Sequence, residues 1–550
     1  MSHRVVDHIV DRLAQRGIGH VFGVDGANIE DLFDAVARTG ITAVVAKHEF
    51  GAAAMADGYS RSGAGLGVVA ATSGGGCLNL VPGLGESLTS RVPLLALIGQ
   101  PPAGLDGRGA FQDTSGRNGA LDAEALFATV SLFCRRVDRP ADIDAVLTEA
   151  LTAAATGGPA VLLLPKDVQQ AVLQHATAAP PAPRPAAPPP DLTAVVVALR
   201  AADGPVTIIA GEQVARDDAR AQLAMLRDAL GARLVTVPDA KDVAPGHPVT
   251  GVMGHPGVAG VVEGSALCLL VGTRMTVTAR AGLEHALDSV PTVSIGSATP
   301  HVAAVHCPAD DLRTALAALA AAAPRDGEER SRSVYAGELR PPACEDGGLR
   351  YRAALQAIDA ALPAGTDIVV DAGNIGAAAI HHLPARADGR FLVALGMGGM
   401  GYSFGAAIGV AAHRGRRTVV IAGDGAFYMH GTEIHTAWQH RLPITFLLFD
   451  NHAHAMCVTR EQTFYGGHGQ RNRFGPSLLG AGLAAMLPGL PAVDVETAAG
   501  LTAALRAVGD GPAVIAVDCS PDEIPPFAAF LTTEKESDRV VRSVAAITRP

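Results

Sequence analysis

Two short groups in the chain, Gly423-Asp424-Gly425 and Asp450-Asn451, offer side chains that can hold a hard cation. Asp424 and Asn451 are 27 residues apart. The apolar run Thr418-Val419-Val420-Ile421-Ala422 ahead of the first group reads as a buried strand, and the run from Pro443 to Phe449 reads as another. The stretch 427–440 between them has the length of one crossover helix, so the unit is βαβ. Asp424 and Asn451 then end two parallel strands, where open α/β sheets bind ligands. A carboxylate, an amide oxygen and a nearby backbone carbonyl suit Mg²⁺ held against a diphosphate. Gly423 and Gly425, with Ala426 behind them, let the backbone approach phosphates closely.

The elements around this unit repeat through the chain. At 550 residues it is too long for one core. A Pro/Ala-rich stretch within 173–191 and a charged, Pro- and Gly-rich stretch at 323–348 read as linkers. They leave blocks 1–172, 192–322 and 349–540, each alternating strand-like and helical patterns. The expected fold is α/β, with three doubly wound parallel-sheet domains. In the first block the spacing predicts a helix over 5–15 and strands at 20–24, 42–46, 67–72 and 93–98. A helix is expected over 50–60, so Glu49 falls between a strand end and a helix start. On residue type alone it is either a partner for the helix dipole or a catalytic carboxylate.

Hydrophobic residues make up 48% of the chain and charged residues 18%, as in a globular protein. The net charge of −11, with no Lys/Arg-rich run, argues against a nucleic-acid partner. No apolar stretch is long enough to span a bilayer, and the N-terminal residues lack a signal-peptide core. The seven cysteines have no CxxC spacing, and a cytoplasmic location with reduced thiols is expected.

The segment Lys47 to Arg61, KHEFGAAAMADGYSR, resembles the HE-x-x-A-x-x-MA-x-GYAR motif of thiamine diphosphate (ThDP) enzymes. The run 67–76, which includes Thr72, and then Asn79 follow the same family pattern, and the Asp424 to Asn451 unit resembles its metal signature. The resemblance implies three domains: pyrimidine-binding, middle and diphosphate-binding. It implies that Glu49 hydrogen-bonds the aminopyrimidine and so promotes loss of the thiazolium C2 proton. It further implies Mg²⁺ on Asp424, Asn451 and the Ala453 carbonyl. Met400, in the segment 395–402, matches the residue that bends the coenzyme, and the Gly398 carbonyl matches the acceptor for its amino group. Asn374 and His430 are placed at the diphosphate side. Because family sites form between subunits, a homodimer or homotetramer is implied.

Ala110-Phe111-Gln112-Asp113, the run 158–168 and Phe464-Tyr465 are similar to the acetohydroxyacid (acetolactate) synthase branch. That similarity implies decarboxylation of a 2-keto acid, pyruvate, and transfer of its two-carbon unit to a second carbonyl compound. It places Phe111, Gln112, Lys166 and Arg460 on the substrate side. The alternatives are a 2-keto acid decarboxylase that does not ligate, or a silent ThDP-binding subunit. Three positions depart from the branch. Arg460 stands where a Trp shapes the acceptor pocket, which favours a polar or anionic acceptor over an apolar one. Asp450 replaces the first Asn of the family pair. The middle-block segment 274–278 lacks the second Arg of its family counterpart, which leaves binding of FAD open.

Overall fold

Runs of branched aliphatic residues separated by helices assemble into three parallel sheets in the computed structural model, which describes residues 3–173, 190–323, 336–467 and 471–531. The first sheet comprises β1 (His20–Val24), β2 (Thr42–Val45), β3 (Gly67–Ala71), β4 (Leu94–Gln100), β5 (Phe133–Arg136) and β6 (Pro159–Pro165), in the order β2-β1-β3-β4-β6-β5. The second comprises β7 (Val206–Ala210), β8 (Arg233–Thr236), β9 (Leu267–Val271), β10 (Thr292–Gly296) and β11 (Val305–Pro308), ordered β11-β10-β9-β7-β8. The third comprises β12 (Asp367–Val370), β13 (Phe391–Val393), β14 (Thr418–Gly423), β15 (Ile444–Asp450), β16 (Ala492–Val495) and β17 (Ala513–Asp518), ordered β13-β12-β14-β15-β17-β16. The first and third sheets therefore share one topology. Helices cover both faces, so central strands such as β4 and β15 are buried along their whole length.

The α/β class and the strands named from the sequence appear within a residue or two of their expected bounds. One element differs. The expected single helix over 427–440 is two short helices, Asp424–His430 and Glu433–Gln439, separated at Gly431-Thr432. Both are poor helix formers, and the Phe427 ring lies against Gly431 where a Cβ would sit. The break turns Glu433 into the first domain, where its Oε1 accepts the backbone N–H groups of Lys47 (2.9 Å) and His48 (3.1 Å). Most of the first expected linker (174–189), the stretch 324–335 of the second and the segment 532–540 at the end of the third block lie outside the described residues.

The middle sheet has its own apolar core, whereas the first and third share one that runs from Phe22 and Leu84 to Phe404 and Phe446. Its centre is the crossing of helix Glu49–Tyr59 with helix Tyr402–Arg414. Two glycines permit that approach. A Cβ at Gly409 would lie 1.9 Å from the Met55 carbonyl oxygen, and one at Gly58 would lie 2.2 Å from that of Ala406.

Candidate active site

Glu49 is the first residue of its helix, and His48 caps the turn by accepting the Phe50 N–H at Nδ1 (3.1 Å). The Glu49 carboxylate is only 8% exposed. Asn79 Nδ2 donates to its Oε2 at 2.9 Å, and Oε1 faces Gly76. Thr72 reaches the same glycine through its methyl group and lies 3.5 Å from the Gln112 amide oxygen. Gln112 adopts the left-handed φ of 61° and packs on Gly74. Glu49, Thr72, Asn79 and Gln112 are thus gathered at the carboxyl ends of the first sheet.

The second group forms at the ends of β14 and β15. Asp424 is 1% exposed and opens a helix; its Oδ1 accepts the Gly425 N–H (2.9 Å) and its Oδ2 the Ala453 N–H (3.1 Å). Asn451 Oδ1 also accepts the Ala453 N–H, while its amide donates to the buried Tyr351 hydroxyl at 3.3 Å. Tyr351 thereby turns the Asn451 oxygen toward Asp424. Burial, and then the neighbouring Asp450 carboxylate, raise the Asp424 pKa. A divalent cation would relieve both effects, so these residues fit a metal. The backbone at Gly425 is pressed between His454 and Met400, which leaves no room for a side chain.

The segment carrying Gly398 and Met400 is fixed by two buried carboxylates. Glu86 accepts the N–H groups of Gly396 (3.2 Å), Met397 (2.6 Å) and Gly398 (3.4 Å). Burial pushes the Glu86 pKa up, but Arg61 and these N–H groups more than offset that and hold it below the usual range. Asp371 accepts the Gly401 (2.8 Å) and Ser403 (2.9 Å) N–H groups from the other side. Gly398 itself has φ 67° and is exposed, with Met400 beside Gly425. His430 lies against Gly401, Phe50 and His48; burial, then His48, push its pKa down to about 4.

Other expected site residues are engaged by neighbours or exposed. Asn374 spends its amide on Thr459 and the Glu523 carbonyl, leaving Oδ1 buried and unpaired. Lys166 donates to the Ala27 carbonyl and pairs with Glu30 at 2.5 Å. Phe111 is 80% exposed. Arg460 stacks on Phe464 (5.6 Å) with no carboxylate partner among the described residues, since neighbouring Glu461 is held by Asn472. Glu86, Asp371, Tyr351 and Glu433 were not expected from sequence. Only the Asp-Ala-Gly-Asn turn around Asp371 carried a local signal.

In the middle sheet the crevice at the ends of β7, β9 and β10 is filled by Gln213. Its Nε2 donates to Asp217 and the Ala309 carbonyl and its Oε1 accepts the Ser297 N–H, each at 2.8–2.9 Å. The side chain lies across Gly272 and Gly296. The cavity left beside it, lined by Arg91, Arg216 and Arg274, is about 50 Å³, room for a few waters.

Three family models match the chain: the N-terminal TPP binding domain of thiamine pyrophosphate enzymes over residues 3–120, the central domain over 192–319 and the C-terminal TPP binding domain over 371–517. This chain belongs to the thiamine pyrophosphate enzymes. Within that family its relatives include the probable acetolactate synthase large subunit of Methanocaldococcus jannaschii, 26% identical over 83% of this chain and 82% of the relative. The acetolactate synthase isozyme 1 large subunit of Escherichia coli is 27% identical, with 84% of each chain covered. A putative thiamin diphosphate-dependent enzyme from Mycobacterium smegmatis shares the fold, with a TM-score of 0.77 at 21% identity, over 95% of this chain and 100% of the other. The protein is an acetolactate synthase-like thiamine pyrophosphate enzyme. Among the described residues, no helix is long and apolar enough to cross a membrane.

Proposed function

We propose that this enzyme is a ThDP- and Mg²⁺-dependent carboligase that decarboxylates a 2-keto acid, pyruvate, and transfers the two-carbon unit to a second carbonyl compound. One observation carries the reading. A buried Glu49 with one oxygen held and one free shares a core with a buried Asp424–Asn451 pair. The relatives' names, acetolactate synthase, support ligation rather than decarboxylation alone. When bound, ThDP supplies the electron sink for loss of CO₂.

The chain's own residues divide the remaining work. Asp424 and Asn451, with the Ala453 carbonyl, carry the cation. Gly423, Gly425, Ala426, Asn374 and His430 form the diphosphate side. Gly398 and Met400, held by Glu86 and Asp371, set the middle of the coenzyme. Asn79 occupies Glu49 Oε2, so Oε1 is the oxygen left to take and return a proton. Thr72 and Gln112 line the approach, and the similarity to the acetolactate synthase branch assigns Phe111 and Lys166 to the donor side. Arg460, without a carboxylate partner, favours an acceptor bearing an anionic group.

A second copy completes the site. Phe111, Met397 (62% exposed) and Tyr465 (69% exposed) are large apolar groups at its rim, and a homodimer or homotetramer would cover them. The test is to incubate the protein with pyruvate, ThDP and Mg²⁺, with and without carboxylated and apolar acceptors, and to identify the products. A coupled product that prefers the carboxylated acceptor is expected, with Arg460→Trp reversing the preference by roughly tenfold. Acetaldehyde alone would establish a decarboxylase instead. No CO₂ release would establish a silent subunit.

A further inference from the structure

Beside the Asp424–Asn451 pair stand two groups with unspent ligand atoms. Asp450 ends β15 and is 5% exposed, yet its Oδ1 is buried with no hydrogen-bond partner. Its other oxygen accepts the Ser477 hydroxyl at 2.9 Å. His452 has the left-handed φ of 52°, and its ring lies beside the Asp450 carboxylate. His452 Nδ1 comes within 2.9 Å of Asp450 Oδ1 but out of hydrogen-bond alignment, and it too is buried without a partner. Ligand atoms of Asp424, Asp450 and His452 all lie within 4.8 Å of one another. Among the described residues, no Lys or Arg pairs with either carboxylate.

Two ionised carboxylates buried side by side with no Lys or Arg beside them are unfavourable; a shared proton or a bound cation relieves the repulsion, and only the cation also uses the free His452 nitrogen. Affinity for a divalent ion rises with the number of charged ligands, and an imidazole shifts preference from Mg²⁺ toward first-row transition ions. We infer that Asp450 and His452 are additional ligands, so that the protein alone binds a divalent cation before any diphosphate is present, and binds Mn²⁺ more tightly than Mg²⁺. The inference rests on the cation site proposed at Asp424 and Asn451, and it concerns residues at which this chain departs from the paired-Asn pattern.

The probe is Mn²⁺ itself, titrated into chelator-stripped full-length protein without ThDP and followed by the electron paramagnetic resonance signal of free Mn²⁺. The inference predicts one Mn²⁺ bound per chain, displaced only by more than tenfold excess Mg²⁺. Asp450→Asn and His452→Gln each weaken binding at least tenfold, and Asp424→Asn weakens it further. Thermal melts of each variant check that it folds; Asp450→Asn restores the amide of the family pattern and so keeps the shape of the side chain. If Mn²⁺ binds only after ThDP is added, or if both variants bind as the unchanged protein does, the inference is overturned and the Asp424–Asn451 site stands. If Asp424→Asn also has no effect, with or without ThDP, the cation site falls as well.

Discussion

The crevice at the ends of β14 and β15 and the crevice at the ends of β7, β9 and β10 occupy equivalent places in two parallel sheets. They differ in what their polar groups are doing. In the third sheet Asp450 Oδ1, His452 Nδ1, His454 Nδ1 and Asn374 Oδ1 are buried and unpaired. In the middle sheet Gln213 uses both ends of its amide on its own domain, and Arg216 donates to Ser297 at 2.9 Å. Unpaired buried polar groups are unfavourable, and a ligand is one way to satisfy them. Strand-end position is common to both crevices; they differ in that the third sheet carries several unspent carboxylate, imidazole and amide atoms where the middle sheet leaves the Thr236 hydroxyl at the end of β8.

The largest expected effect breaks the active side of that comparison. Glu49→Gln keeps the shape of the side chain but cannot take a proton, so pyruvate consumption falls about 10²- to 10⁴-fold with folding unchanged. Steady-state CO₂ release measures it, and wild-type turnover would remove Glu49 from the reaction. Next is Glu86→Ala, which frees the loop 396–398 and leaves Arg61 with one carboxylate partner fewer in a buried site. A loss of about 3 kcal/mol in chemical unfolding and weaker ThDP binding are expected.

Gln213→Ala sharpens the contrast from the closed side. It removes three hydrogen bonds inside the middle domain and lowers stability by about 1–3 kcal/mol, with turnover unchanged. The unchanged protein should purify without visible flavin absorption; stoichiometric flavin would show that the crevice opens.

The smallest effect concerns the contact between the middle and third domains. His381 Nδ1 faces the Met253 carbonyl and its ring stacks on His255 at 4.9 Å. Burial, then His382 and His255, push the His381 pKa down to about 3. Because the folded pKa lies below the unfolded one, the unfolded chain binds more protons, and stability present above the ordinary His range is lost as pH falls through it. Melting temperature should drop by a few degrees between neutral pH and pH about 5. His381→Asn should flatten that slope.

Much of this organisation was legible in the sequence because it is local. Apolar runs mark the strands, and Glu49, Asp424 and Asn451 sit at strand ends that those runs define. What was hidden depends on partners far along the chain. Glu86 meets Met397 311 residues away, and Tyr351 meets Asn451 100 residues away. The break at Gly431-Thr432 shows only once Glu433 is seen to hold the Lys47 and His48 N–H groups across the domain boundary. The motif around Lys166 points to the substrate side, and only the fold shows Glu30 within reach of it.

The central claim is that one coenzyme joins the Glu49 group to the Asp424 group. A crystal structure of the protein with ThDP and Mg²⁺ tests it directly. The account predicts a cation between the Asp424 carboxylate and the diphosphate, with Glu49 Oε1 of one copy hydrogen-bonded to the pyrimidine ring. A coenzyme seated elsewhere, or a Glu49 remote from that ring, would contradict it.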